Sequence, residues 1–152
     1  MHGWMDMSAS FEFVVNELSK DWFILAPDWR GFGLTQWAPN GYWFPDYVAD
    51  LSEIINTLSK GREINLFGHS MGGNIAGLYT GVFPEKVNKL ILAEGFGMPP
   101  RDASDAPNHL KKWLGQKHVN PTLKPYKSLD DVARRLIDNT PALTHPQALF
   151  LA

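Results

Sequence analysis

One serine stands between glycines in Leu66-Phe67-Gly68-His69-Ser70-Met71-Gly72-Gly73-Asn74-Ile75-Ala76-Gly77, where an apolar, strand-like run passes into a helical pattern. A serine hydroxyl is a useful nucleophile only when a neighbouring group removes its proton. The spacing G-x-S-x-G is the one that sets such a serine on a sharp turn between a strand and a helix. That turn forces a strained backbone, and glycines at 68 and 72 let neighbouring chain pass without a clash. Ser70 is then expected above the carboxyl edge of a sheet, where open α/β sheets bind ligands. The amide of Met71, at the helix start, is expected to point at a developing oxyanion.

The rest of the chain must supply the scaffold for that turn. Its 152 residues suffice for one domain with a real core, and 14 basic residues against 16 acidic ones leave no nucleic-acid footprint or polybasic membrane signal. Without cysteine there is no disulfide framework, no thiolate nucleophile and no cysteine-rich zinc site; no metal and no cofactor are expected. The longest apolar runs are strand-sized and no leader pattern opens the chain, so a soluble, cytoplasmic protein without a membrane span is expected. Ser8 can cap a helix carrying Phe11, Val14, Val15 and Leu18. Strands are predicted at 22–27 (WFILAP), 63–67 and 87–93, and helices at about 47–58 and 74–82. Strands alternating with helices predict an α/β fold, a partial core with a short parallel sheet flanked by helices. From Pro99 onward prolines are scattered among short helical patterns, including 129–137, so residues 1–98 read as the core and 99–152 as a helical lid or cap.

Four segments, in order, resemble the lid-bearing serine hydrolase-like and epoxide-hydrolase-related branch of the α/β-hydrolase family: HGWMDMSASF, APDWRGFGLT, GHSMGG and FPEKVNKLILAEGFG. The resemblance implies that Ser70 is the nucleophile and that the amides of Trp4 and Met71 form the oxyanion hole. It implies that His2 orients the backbone of its loop and that Asp28 and Arg30 hold theirs. Glu94 ends the third strand, where some members place the triad acid. Serine in place of the aspartate of related dehalogenases and epoxide hydrolases implies ester hydrolysis, on small to medium carboxylic esters.

The family triad runs Ser, then Asp or Glu, then His, and its histidine follows a strand that lies beyond the last residue of this sequence. Members also carry three strands before the His-Gly segment, which here begins at His2. The third of them belongs between the strands at 22–27 and 63–67, and a buried row of unpaired backbone groups is not left open. Three outcomes are expected to compete: the two strands close up into a three-stranded sheet, a second copy covers the edges in a homo-oligomer, or the chain is a fragment. The base is then to be sought in the lid, at His109, His118 or His145, or in a partner chain. His145 is favoured because it follows the break at Pro141 and its segment can fold back. His69 is expected to turn away from the hydroxyl. Trp37, Tyr42, Trp43 and Phe44 can line an apolar pocket or pack in the core. The competing reading is a catalytically silent remnant that binds an apolar ligand or partner.

Overall fold

The sheet consists of two strands, β1 (Ile64–His69) and β2 (Val87–Ala93), paired in parallel with Phe67 opposite Ile91 and His69 opposite Ala93. These come from a computed structural model that describes residues 1–97, 99–116 and 125–152. Parallel neighbours require a crossover. The connecting helix is α3 (Met71–Val82), whose buried Met71, Ile75, Ala76 and Tyr79 recur at helical spacing and face the core. Helix α2 (Phe44–Leu58) opens with Pro45 in its first turn and buries Tyr47, Leu51 and Ile55, an i, i+4, i+8 stripe, in the same core. Lys60 and Gly61, both at positive φ, end it. Trp29, Tyr79, Ile75 and His2 are the largest side chains that are fully buried.

The segment predicted as the strand WFILAP joins no ladder among the described residues, and Trp22, Phe23 and Leu25 lie exposed. A strand of this composition holds only when partners pair its backbone and cover both faces. The side of β1 away from β2 is bridged instead by Met1: its nitrogen donates to the Phe67 carbonyl at 2.7 Å, and its carbonyl accepts from the His69 N–H at 3.0 Å. Of the three outcomes, closure into a three-stranded sheet is not seen among the described residues, which hold the short parallel sheet as two strands. Nor does Ser8 cap a helix. It lies inside a 3-10 turn (Ser8–Phe11) that leads into α1 (Glu12–Asn16), and its amide donates to the Asp28 carboxylate at 2.6 Å.

The chain divides into two compact units, Met1–Met98 and Pro99–Ala152. The second is helical: α4 (Ala106–Gln116), α5 (Leu129–Asn139) and α6 (His145–Leu151). Ser128 caps α5 and a Thr144–Gln147 capping box starts α6. Ala133 and Ala148 are fully buried in this unit, where α5 and α6 pack together; a side chain no larger than a methyl lets two helices approach closely.

Candidate active site

Ser70 takes φ +51° and ψ −116°, a conformation that an L-residue adopts only when its surroundings impose it. They do so on both sides. Its amide donates to the Ala93 carbonyl at the end of β2 (2.8 Å), and its own carbonyl accepts from the Asn74 amide in α3 (3.0 Å). A β-carbon at Gly68 would stand 2.5 Å from the Gly72 carbonyl oxygen, and one at Gly72 would stand 2.5 Å from that of Met1. The two glycines thus permit the close passage that the spacing predicts. Among the described residues four non-glycines have positive φ, and three of them, Met5, Ser70 and Glu94, follow Met1–Gly3, β1 and β2 at one end of the sheet. Met71 is the first residue of α3, so its amide has no intrahelical acceptor. Trp4 lies just after Gly3, and a β-carbon on Gly3 would approach Ser70 Cβ to 3.2 Å, which brings the His-Gly loop directly beside the serine.

That loop is fixed by His2. Its Nε2 accepts the Trp29 amide proton at 2.9 Å, its Nδ1 lies 2.8 Å from the Gly3 carbonyl, and the Trp29 indole donates to the His2 carbonyl at 3.1 Å. With Nε2 accepting, the proton belongs on Nδ1 and the ring is neutral. Burial pushes the imidazole below its ordinary value, against the Gly3 carbonyl and the Asp6 and Asp28 carboxylates that pull it up. The unfolded chain therefore takes up this proton first. The contribution of His2 is fully present above its ordinary pKa of 6.5 and is lost as pH falls below it. Burial also brings the Met1 ammonium down to about 6, which acts in the same direction, so a difference between variants is needed to isolate the ring. Urea unfolding at pH 7.5 and pH 5 is expected to show the wild-type chain losing more stability than His2→Gln, which cannot titrate.

Asp28 and Arg30 hold the next loop. Burial alone would raise the Asp28 carboxyl, but hydrogen bonds from the Leu34 and Ser8 amides outweigh it and keep the group below its ordinary value. The Arg30 guanidinium grips Asp50 through Nε and Nη2, at 2.6 and 2.5 Å, and reaches Asp46 at 3.4 Å. Of the aromatic group, Tyr42 and Trp43 line an open cleft of about 250 Å³ with Arg30 and Asp46, whereas Trp37 is exposed; Ser70 does not line that cleft.

Glu94 follows β2 as Ser70 follows β1, and its carboxylate lies 3.9 Å from Nε2 of His69. The His69 ring lies over Gly3 beside Ser70, its Nδ1 being 3.2 Å from the position of a Gly3 β-carbon. No signal within the chain places His69 against a residue 25 positions on; only the parallel register does. His145 sits at the start of α6 in the second unit, with Nε2 3.2 Å from the Asp130 carboxylate. His109 is exposed on α4, and His118 lies outside the described residues.

Residues 1–128 match the family described as "alpha/beta hydrolase fold". A "Serine hydrolase-like protein" of Danio rerio is 35% identical over 119 residues, which are 77% of this chain and 36% of that protein. The "3-hydroxybutyrate-oligomer hydrolase" of Cupriavidus necator is 32% identical over 116 residues, 75% of this chain and 38% of that one. The chain thus spans little more than a third of either relative. Among solved structures, the "Thioesterase Domain From Curacin Biosynthetic Pathway" superimposes with a TM-score of 0.85 at 25% identity, over 99% of this chain and 55% of that one.

Proposed function

Because the chain belongs to the alpha/beta hydrolase fold family, we propose that it is a serine hydrolase acting on small to medium carboxylic esters through the elbow serine Ser70. The observation that carries this reading is the backbone of Ser70, held at positive φ by the ends of β2 and α3. Strain of this kind costs about 1–3 kcal/mol and persists where the surroundings over-determine it. Its use here is to present the hydroxyl beside two amides, those of Trp4 and Met71, that are read as donors to the tetrahedral oxyanion. Glu94 is the acid of this reading. The base of this reading is drawn from the histidines of residues 99–152, with His145 favoured; its Nε2 lies 3.2 Å from the Asp130 carboxylate. An acyl substrate is supported by the thioesterase and the hydroxy-acid oligomer hydrolase among the similar proteins.

One observation favours a second reading, a catalytically silent chain that binds an apolar partner or a second copy: Phe23 and Leu34 are 85% and 96% exposed in the first unit. A serine-reactive fluorophosphonate separates the two. Stoichiometric labelling, located by mass spectrometry on the peptide that carries Ser70, is the expected result. A chain that stays unlabelled at high probe concentration supports the silent reading.

A further inference from the structure

Two loops meet Ser70 directly, and each carries a large apolar side chain that stays in solvent. The first follows Gly3, whose β-carbon position lies 3.2 Å from Ser70 Cβ; its Trp4 is 61% exposed and stands edge-on to Phe32, with ring centres 5.3 Å apart. The second follows β2 and runs through Glu94, Gly95, Phe96 and Gly97. Its start is held where the Ser70 amide donates to the Ala93 carbonyl. At Gly95 its backbone lies against the elbow, since a β-carbon there would stand 2.8 Å from the Ser70 carbonyl oxygen and 2.5 Å from Gly73 Cα. Its end is held by Asn74: the side-chain oxygen accepts the Gly97 amide proton at 2.7 Å, while the Asn74 amide donates to the Ser70 carbonyl at 3.0 Å. Phe96 falls between the last two of these anchors and is 83% exposed.

A single exposed apolar residue needs no explanation. These two differ because what lies beneath them is fixed. The Phe96 backbone is clamped on both sides, between Gly95 on the elbow and Gly97 on Asn74, and the Trp4 indole is braced by Phe32. Apolar groups already held in place lose little freedom when a ligand covers them, so the burial gained is realised as binding. We propose that Phe96 and Trp4 form an apolar contact for the acyl chain of the substrate, which selects acyl groups longer than acetyl, and that Asn74 is the positioning residue that holds Phe96 for it. The inference rests on the reading of Ser70 as nucleophile. It adds a substrate preference to that reading and assigns the side chain of Asn74 a use besides its place in α3.

The test compares short and long chains on the full protein, with p-nitrophenyl acetate and octanoate as substrates and with fluorophosphonates bearing an ethyl or an octyl chain as probes of Ser70. Each methylene that the protein covers adds a factor of up to about four, so kcat/KM for octanoate and the labelling rate of the octyl probe are expected to exceed those of the short partners by about tenfold or more. Phe96→Ala is expected to lower both long-to-short ratios about tenfold, chiefly through the KM for octanoate, and Trp4→Ala, which keeps the backbone amide, to lower them in the same direction. Asn74→Leu removes the acceptor for the Gly97 amide and is expected to lower the ratios severalfold; Asn74→Asp keeps an acceptor there and is expected to retain them. Both rates of each ratio are read on one preparation, so a variant that is partly unfolded does not change it. Equal labelling by the two probes in the wild-type chain overturns the proposal while Ser70 stands as nucleophile. So does a Phe96→Ala chain whose ratios stay within twofold of wild type, or one that loses the short and long rates alike. Equal ratios in Asn74→Leu and Asn74→Asp overturn the role of Asn74. No labelling of Ser70 by either probe overturns the nucleophile reading, and the acyl contact with it.

Discussion

Ser70→Ala is expected to lower turnover of a short p-nitrophenyl ester on the order of a thousandfold or more and to remove the fluorophosphonate adduct, with the unfolding midpoint nearly unchanged. The expectation separates chemistry from structure because the two use different atoms. What fixes residue 70 is its backbone, through the Ala93 carbonyl and the Asn74 amide, and both bonds survive the substitution. What is lost is one half-buried hydroxyl. Ser70→Gly sharpens the test. Glycine takes φ +51° without the clash a β-carbon suffers, so this variant is expected to be as inactive as the alanine one yet more stable, by about 1 kcal/mol. A chain that is both inactive and more stable marks a residue kept under strain for function rather than for folding. Retention of full activity in Ser70→Ala, measured on protein free of other esterases, removes Ser70 from the reaction.

The parts of this arrangement that are legible in sequence are those fixed within one strand–turn–helix stretch. The elbow is one, since its glycines, strand and helix all fall between Ile64 and Val82. Strand β2 is another, with its range of 87–93 read from an apolar run closed by Pro84 before it and the glycines 95 and 97 after it. Helix α3 begins at Met71 rather than near Asn74, because Gly72 and Gly73, poor helix formers by propensity, are required there by packing. Propensity yields to a close approach that no local pattern reveals. WFILAP fails for the complementary reason. Its residues have every local mark of a buried strand, but a strand exists only with a partner, and among the described residues the adjacent edge of β1 is bridged by Met1. The neighbourhood of His69 and Glu94 was closed to sequence reasoning in the same way, because it depends on how β1 and β2 slide past one another. Residues far apart in the chain become neighbours through register, which is set by the whole pattern of each strand rather than by either residue alone.

Two glycines of the same helix allow the packing argument to be tested against propensity directly. In an exposed helical turn, replacing glycine by alanine stabilises by roughly 0.5–1 kcal/mol, because the unfolded chain loses freedom. Gly77 meets that condition, since a β-carbon there has nothing within 4 Å, and Gly77→Ala is expected to raise the urea midpoint by that amount. Gly72 lies five residues earlier on α3 and is expected to behave oppositely. A β-carbon there would stand 2.5 Å from the Met1 carbonyl oxygen and 2.6 Å from that of His2, and both are backbone atoms that cannot rotate aside. The chain can relieve the overlap only by moving α3 or the His2–Gly3 segment. That segment is tied to Trp29 through two hydrogen bonds and to β1 through the Met1 bridge. Gly72→Ala is therefore expected to cost about 3 kcal/mol or more, beyond the usual range for one added methyl group in a core. Where the variant still folds, it is expected to lose most of its rate, because the displaced loop carries the Trp4 amide away from Ser70. A Gly72→Ala chain as stable as wild type would mean that the loop and helix part at no cost. The reading of the Trp4 and Met71 amides as rigidly placed oxyanion donors would then have to be given up.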